Sequence, residues 1–527
     1  MPASVNKPPG PEQAGPPRPE HAGPAGHGGF GQVLRAEWTK FRTVRGWVIG
    51  VIVAPLVTVG LGYLISSGIT CSQGPHPCSA PVGPGGESVT DSFYFVHQAL
   101  RGNGSITVRV TSLTGTAGPA SSGGAGGQGT AGLQPWSKAG ILIKAGTTPG
   151  SAYAAMLVTA GHGVRMQYDF TGDTAGLPGA ASPASPRWLR LTRSGGTVTG
   201  YDSADGSHWV RAGTARLPGL PATVQAGLFA ASPPPGQGPT AVHAAGPAEA
   251  TATFDHIGLR GTWPAAVWTG TTAGADSGAR QATGGFHRTG GTVTVSGSGD
   301  IAPAVGGLDG GMPLAETLTG AFAGLIALAV VAAMFVGAEY QRGLIAVTLA
   351  ASPRRGQVLA AKAIVIGAVT FAAGLAGAAV AVLVGKRVLH AHGAFVAPAS
   401  MLTQVRVVAG TAALLAVTAV LALALGSVLR RGADAVTAVI AGIVLPYLLA
   451  VATPLLPAAA SDWLLRVTPA AAFAVQGTSV RYPQVSNAYL PFFGYYPLPP
   501  WTGFAVLCGY TALALALAAV LLRRRDA

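Results

Sequence analysis

The stretch Leu314-Ala-Glu-Thr-Leu-Thr-Gly-Ala-Phe-Ala-Gly-Leu-Ile-Ala-Leu-Ala-Val-Val-Ala-Ala-Met-Phe-Val336 holds one ionisable side chain, Glu316, close to its start. As a helix rising about 1.5 Å per residue, it is long enough for the ~30 Å hydrocarbon core of a bilayer. It is apolar on every side, so it has no face to turn to water. Four later runs read alike: Val358–Val384, Val405–Leu429, Val436–Leu456 and Trp501–Leu522. An early run, Trp47–Ile65, does the same. The expectation is a membrane all-α bundle of six transmembrane helices, with Pro446 and Pro454 kinking the fifth. Glu316 and Asp434 lie near span ends, within reach of water, so no proton relay is expected inside the bilayer.

The 527 residues carry 33 Lys and Arg against 19 Asp and Glu, a net charge of +14, yet only 10% of them are charged. Soluble proteins average about 25%. The basic residues gather beside the apolar runs: Arg35, Lys40, Arg42 and Arg45 before the first, Arg430 and Arg431 after another, and Arg523 to Arg525 at the end. Lys and Arg in that position mark cytoplasmic span ends. A nucleic-acid binder would instead interleave a basic stripe with aromatics, so no nucleic acid is expected as a partner. Six crossings put both termini inside. Arg342, Arg354, Arg355, Arg430 and Arg431 then lie inside, and Lys386, Arg387, Arg466 and Arg481 outside. The expected location is the cytoplasmic membrane, crossed several times, with N- and C-termini in the cytoplasm.

Residues 1–29 are rich in Pro and Gly and form an expected disordered cytoplasmic tail. Residues 30–66 hold an interfacial helix and the first span. From Val33 to Arg45, Val33, Leu34, Trp38, Phe41 and Val44 share one helical face, while Arg35, Lys40 and Arg42 lie elsewhere. Trp38, Lys40, Phe41 and Arg42 are its candidate interfacial residues.

Residues 67–312 form an expected extracytoplasmic domain, and 313–527 the remaining five helices. Ser105-Ile-Thr-Val-Arg-Val-Thr111 alternates with period two. Ala139–Lys144, Tyr153–Thr159, Val164–Phe170, Trp188–Thr192, Thr197–Asp202, Val224–Ala230 and Ala252–Leu259 continue the strand pattern, and Asp205-Gly206 marks a hairpin. Many short strands with such punctuation predict a β-sandwich with a core at about 90–260. Gly115–Gly132 and Ser232–Gly246 read as flexible loops. Thr262–Gly311 reads as a poorly packed stalk with one short strand near Thr292–Ser296. Cys71 and Cys78, just past the first span, are the expected disulfide; Cys508, within a span, reads as a small buried hydrophobe. Pro457–Pro500, rich in Pro and aromatics, reads as an interfacial or re-entrant segment.

Between the second and third spans runs Gly337-Ala-Glu-Tyr-Gln-Arg342-Gly343-Leu-Ile-Ala-Val-Thr348-Leu-Ala-Ala-Ser-Pro353-Arg354-Arg355, with Ala361-Lys362 opening the next helix. A short cytoplasmic element with charged ends, held between two spans, suits docking to a soluble partner; an ordinary positive turn is the alternative. This Glu-Tyr, Gly, Thr-Leu, Pro-Arg-Arg and Ala-Lys series resembles the corresponding loop of bacterial ABC-2-type transporter permeases. Ala36-Glu-Trp-Thr-Lys-Phe-Arg-Thr-Val-Arg45 is similar to the amphipathic helix that opens those permeases. The resemblance covers about Leu34–Ile65 and Leu314–Arg525. It implies that Glu339, Tyr340, Arg342, Gly343, Pro353, Arg354, Arg355 and Lys362 belong to the element that contacts an ABC ATP-binding subunit. It also implies a homodimer or heterodimer of permeases, and outer helices at Leu464–Gln476.

The middle domain has its own likeness. Trp136 to Lys144, Tyr153–Thr159, Trp188–Arg193, Tyr201–Trp209 and Ala252–Asp255 resemble concanavalin A-like, laminin G/glucanase-like sandwiches. That resemblance implies an all-β jelly-roll ectodomain and glycan binding, with Trp136, Trp188, Tyr201 and Trp209 as stacking candidates or as core.

Glycoside hydrolysis needs two carboxylates about 5–9.5 Å apart across the bond. The middle domain has Glu87 and Glu249 as its glutamates, neither in a clustered acidic motif. A phosphate-binding Gly-x-x-x-x-Gly-Lys-Ser/Thr is absent from the sequence, since Gly385-Lys386 is followed by Arg387. His76, His97, His162, His208 and His256 are scattered without ligand spacing, and Asp300 reads as a turn residue. No enzyme activity, cofactor or metal is expected. The reading is a permease subunit driven by a separate ATPase; the alternative is a membrane-anchored surface glycan-binding or sensing protein.

Overall fold

The computed structural model describes residues 29–69, 81–117, 130–234, 248–264, 267–274, 282–305, 311–341, 355–394, 396–451, 456–485, 489, 491 and 494–525. Cys71, Cys78 and the tail 1–28 lie outside these.

Six helices are long and apolar enough to cross a membrane: Arg45–Gly68, Leu314–Tyr340, Gly356–Ala391, Met401–Leu429, Gly432–Val451 and Pro500–Arg524. Each overlaps one predicted span. Their outward side chains include Leu56, Leu64, Leu383 and Leu513, all at least 60% exposed. Apolar area of that extent is tolerable only against lipid or another protein. One apolar cluster draws on all six helices, through Val51, Leu328, Ile366, Leu414, Val439 and Leu507. Small residues let the first two approach closely. A Cβ on Gly320 would stand 2.1 Å from the Thr58 carbonyl oxygen, and one on Gly62 would stand 2.9 Å from that of Thr317.

The fifth helix is irregular where the sequence predicts a kink. A π-helical turn at Ile440–Val444 separates Gly432–Val439 from Leu445–Val451. Pro446 lacks an N–H and its ring would crowd the carbonyl four residues back, and the wide turn relieves both. Pro454 lies outside the described residues.

Between the first and second helices stands a large antiparallel β-domain. Its strands are β1 (Val89–Ala117), β2 (Thr130–Ala131), β3 (Lys138–Lys144), β4 (Tyr153–Thr159), β5 (Val164–Tyr168), β6 (Gly172–Ala175), β7 (Arg187–Ser194) and β8 (Thr197–Ser203). There follow β9 (Val210–Arg216), β10 (Thr223–Ala231), β11 (Glu249–Thr262), β12 (Thr269–Ala273), β13 (Gly284–Thr289), β14 (Thr292–Gly297) and β15 (Asp300–Pro303). The long β1 serves two layers. Its first half continues through β10, β3, β4, β5 and β6, and also pairs with β12 and β15. Its second half lies between β11 and β7, extended by β14 and β13 on one side and by β8 and β9 on the other.

The layers pack face to face. Val96, Ile141, Met156 and Leu228 from one meet Val108, Leu191, Phe254 and Val295 from the other, all fully buried or nearly so. The sandwich fits the expected jelly-roll class. A second apolar set, Phe93, Phe95, Leu142, Leu157 and Phe229, lies on the opposite side of the first layer. Both faces of β3 and β4 are therefore buried, which is why those strands read as near-continuous apolar runs.

Two expectations are corrected. Thr262–Gly311, read as a stalk, supplies β12 to β15 to the sandwich. Thr269–Ala273 and Gly284–Thr289 hold little apolar alternation, and they join through backbone pairing at β1 and β14, which composition does not display. The helix read at Val33–Arg45 is Phe30–Thr43; Val44 is extended and Arg45 starts the next helix.

Pro457–Pro500 contains a helix, Ala458–Val467, and a fully buried 3-10 stretch, Pro469–Gln476, packed on the fourth and sixth helices. Beyond it, the Gln484 side-chain amide donates to the carbonyls of Phe170 (3.3 Å) and Thr171 (3.2 Å) of the β-domain. Asp169 and Phe170 hold positive φ there (42° and 60°), costly for a bulky residue.

Candidate functional site

The N-terminal helix buries the face carrying Glu37 (2% exposed) and Phe41 (3%). Trp38, read as part of the apolar face, is 45% exposed. Arg42 is exposed and lies in the helix's last turn, where a cation favours the negative helix end. Phe41 packs edge-on to Phe335 at 5.9 Å between ring centroids, and Trp47 meets the same ring at 4.9 Å.

Around these rings four charges form a closed set. Lys362 donates to Glu37 Oε2 and to Glu339 Oε1, both at 2.7 Å. Lys40 donates to Glu37 Oε1 and to Glu339 Oε1, both at 3.0 Å. The Lys362 ammonium also sits 4.6 Å from the centroid of the Phe335 ring. Two acids and two bases leave no net charge. The Glu37, Glu339 and Lys362 side chains are each under 10% exposed, so each ion depends on its partners. At Lys40, burial pushes the ammonium down, but Glu339 and then Glu37 outweigh it, and the group ends above its usual value.

The geometry has a simple consequence. Glu339 lies in the last turn of the second span and Lys362 in the second turn of the helix that opens the third. Their ion pair clasps both ends of the connection between them. Glu37 and Lys40 bind that clasp to the N-terminal helix. Beside it, the Arg430 guanidinium lies 5.8 Å from the Tyr340 ring, linking the connection between the fourth and fifth spans.

Of the residues expected in the coupling element, the structure brings together Glu339, Tyr340 and Lys362, with Lys40 from the interfacial set. Arg342, Gly343, Pro353 and Arg354 lie outside the described residues; Arg355 starts the third-span helix. Glu37 was missed as a site residue. The signal was present: a carboxylate three residues before Lys40 and four before Phe41, on the apolar side of an amphipathic helix.

The four stacking candidates divide. Trp136 is buried (4% exposed) and stacks on His162 at 3.9 Å. Trp188, Tyr201 and Trp209 are half-buried.

A family described as "ABC-2 family transporter protein" matches residues 191–527. The chain belongs to the ABC-2 transporter family. The match takes in all five later spans, the whole Glu339–Lys362 connection and the later strands of the sandwich. ABC-2 permeases are membrane components of ABC transporters, non-enzymatic themselves and served in general by an ABC ATPase.

Comparison with curated proteins returned no match. Among solved structures, a functionally unknown protein from Saccharomyces cerevisiae is similar at 18% identity, over 32% of this chain and 75% of that one, with a TM-score of 0.19. The GH43 BlXynB protein from Bacillus licheniformis is similar at 16% identity over 30% of this chain and 28% of its own length, with a TM-score of 0.20. Scytalido-glutamic peptidase gives 7% identity, 39% of this chain, 98% of that one and a TM-score of 0.25. Likeness at that level carries no argument about activity.

Proposed function

We propose that this chain is the permease half of an ABC transporter of the cytoplasmic membrane, with both termini in the cytoplasm and the β-sandwich outside. Two copies, or one copy and a related permease, pair to form the pathway, and each receives one ATP-binding subunit. The Glu339–Arg355 element is the receiving surface, with Arg342, Gly343, Pro353 and Arg354 in its span.

The observation that carries this reading is the Glu37, Lys40, Glu339 and Lys362 set. A push on the connection acts on the end of one span and the start of the next at once. The ion pairs make those ends and the N-terminal helix move together rather than flex apart. A plain positive turn has no need of a buried clasp at both of its ends.

The test is co-purification. Wild-type chain expressed with its ATP-binding subunit should retain it, and Arg354→Glu with Arg355→Glu should lose it. Unchanged recovery by the double variant, or none by the wild type, rejects the assignment.

Trp188, Tyr201 and Trp209, half-exposed on the sandwich, favour a second role: contact with glycan outside the cell. In the alternative reading that contact is the chain's main task and the spans are an anchor. Wild-type binding of its ATPase separates the two.

A further inference from the structure

The outward face of the second β layer combines aromatic rings with unpaired cations. Along β7, Leu189 and Leu191 point into the core while Trp188 and Arg190 point out. Arg190 pairs in register with Tyr201 of β8 on one side and Thr107 of β1 on the other. Tyr201 in turn faces Arg211 of β9. Arg260 of β11 pairs with Ser105, two residues from Thr107, and so shares the face. Six side chains from four strands of this layer and the turn before β9 are thereby gathered: Trp188, Arg190, Tyr201, Trp209, Arg211 and Arg260.

The rings are held in place. The Arg109 guanidinium lies 5.7 Å from the Trp188 ring, and His256 meets it edge-on at 5.3 Å. Arg190 lies 3.8 Å from the Trp209 centroid, anchored by a 3.0 Å bond from its Nε to Thr107. That bond uses one of its five donors and leaves its terminal groups free.

The carboxylates nearby are already engaged. Asp255 takes Arg109 in a bidentate pair at 2.8 and 2.6 Å. Asp205 caps its own turn and binds His208 at 2.6 Å. Among the described residues, Arg190, Arg211 and Arg260 have no carboxylate within ion-pair distance. Burial, and then the charge of Arg260, hold Arg190 below its usual value, with Tyr201 acting the other way.

We propose that this face binds an anionic polysaccharide, a glycan whose repeating units carry carboxylate or phosphate groups. Fixed rings offer stacking surfaces to sugars at little entropic cost, and three guanidiniums spaced across the strands take the acid groups. The proposal rests on the reading that the β-domain meets glycan outside the cell, and it adds the charge of that glycan.

The test uses the full chain in nanodiscs of zwitterionic lipid, titrated with polygalacturonate, poly(glycerol phosphate) and neutral dextran. Binding of either acidic polymer, weakening with added salt, is expected, and the stronger of the two identifies the acid group. Arg190→Gln with Arg211→Gln and Arg260→Gln should weaken it about tenfold or more. Tyr201→Ala should weaken it with charge intact, which keeps the test valid if the triple variant unfolds. Dextran bound as tightly as polygalacturonate overturns the charge assignment and leaves the glycan reading standing. Failure of all three polymers overturns both. Capture of phosphatidylglycerol vesicles in place of polymer assigns the face to a membrane surface and also overturns the proposal.

Discussion

Lys362 and Glu37 lie 325 positions apart in the chain and 2.7 Å apart in space. Between them they join the N-terminal helix to the start of the third span, and Glu339 adds the end of the second. Each ion is stable in this buried place only because the others are there.

Lys362→Met should therefore do more than weaken one contact. It strands two carboxylates against Lys40 alone, and breaking a buried pair from one side costs about 3–5 kcal/mol. A clear fall in thermal stability of the purified protein, with loss of its ATPase, is the expected result. Lys362→Arg, which keeps the cation between Glu37 and Glu339, should retain most of both.

His97 should give the β-domain a pH-dependent stability. Burial holds its imidazole below the usual value, and the 2.8 Å bond to Gln225 offsets this only in part. The unfolded chain then takes up the proton first as pH falls through about 6.5. Stability is full above that point and declines below it, until the folded form is protonated too. Thermal unfolding between about pH 8 and about pH 5 should show that slope, reduced in His97→Gln. An unchanged slope in the variant assigns it to other groups.

Gly320→Leu should separate the first two spans. Even the Cβ would meet the Thr58 carbonyl at 2.1 Å, and backbone cannot swing aside as a side chain can. The expected cost is at least about 1–3 kcal/mol, read as a lower melting temperature in detergent. Gly509→Leu, where nothing lies within 4 Å, is the control and should be near neutral.

Gln484→Leu should loosen the β-domain from the membrane region while leaving each folded. Two carbonyls, of Phe170 and Thr171, lose their donor, a change of about 1–3 kcal/mol. Hydrogen exchange should rise at residues 169–172 and stay unchanged in β3 and β4.

The spans were legible because lipid leaves no choice: a run like Leu314–Val336 has one solvent that suits it. The inner strands were legible because alternation, as in Ser105–Thr111, records which side faces the core. β12 and β13 were not, since their Thr and Gly pair by backbone and leave no apolar trace, and β15, four residues long, is too short to show a period. The site was half legible. Glu339 and Lys362 were drawn in by the charged ends of the loop together with the family resemblance, and Glu37 was hidden on the apolar side of a helix until its partners, far along the chain, were brought beside it.

A photo-crosslinker placed in intact cells at Ser352, and separately at the exposed Ala184 of the β-domain, tests the account most directly. Adducts to the ATP-binding subunit from Ser352 and none from Ala184 are the predicted result. Adducts from Ala184, or accessibility of Ser352 to a reagent that cannot cross the membrane, would contradict the proposed orientation and the coupling built on it.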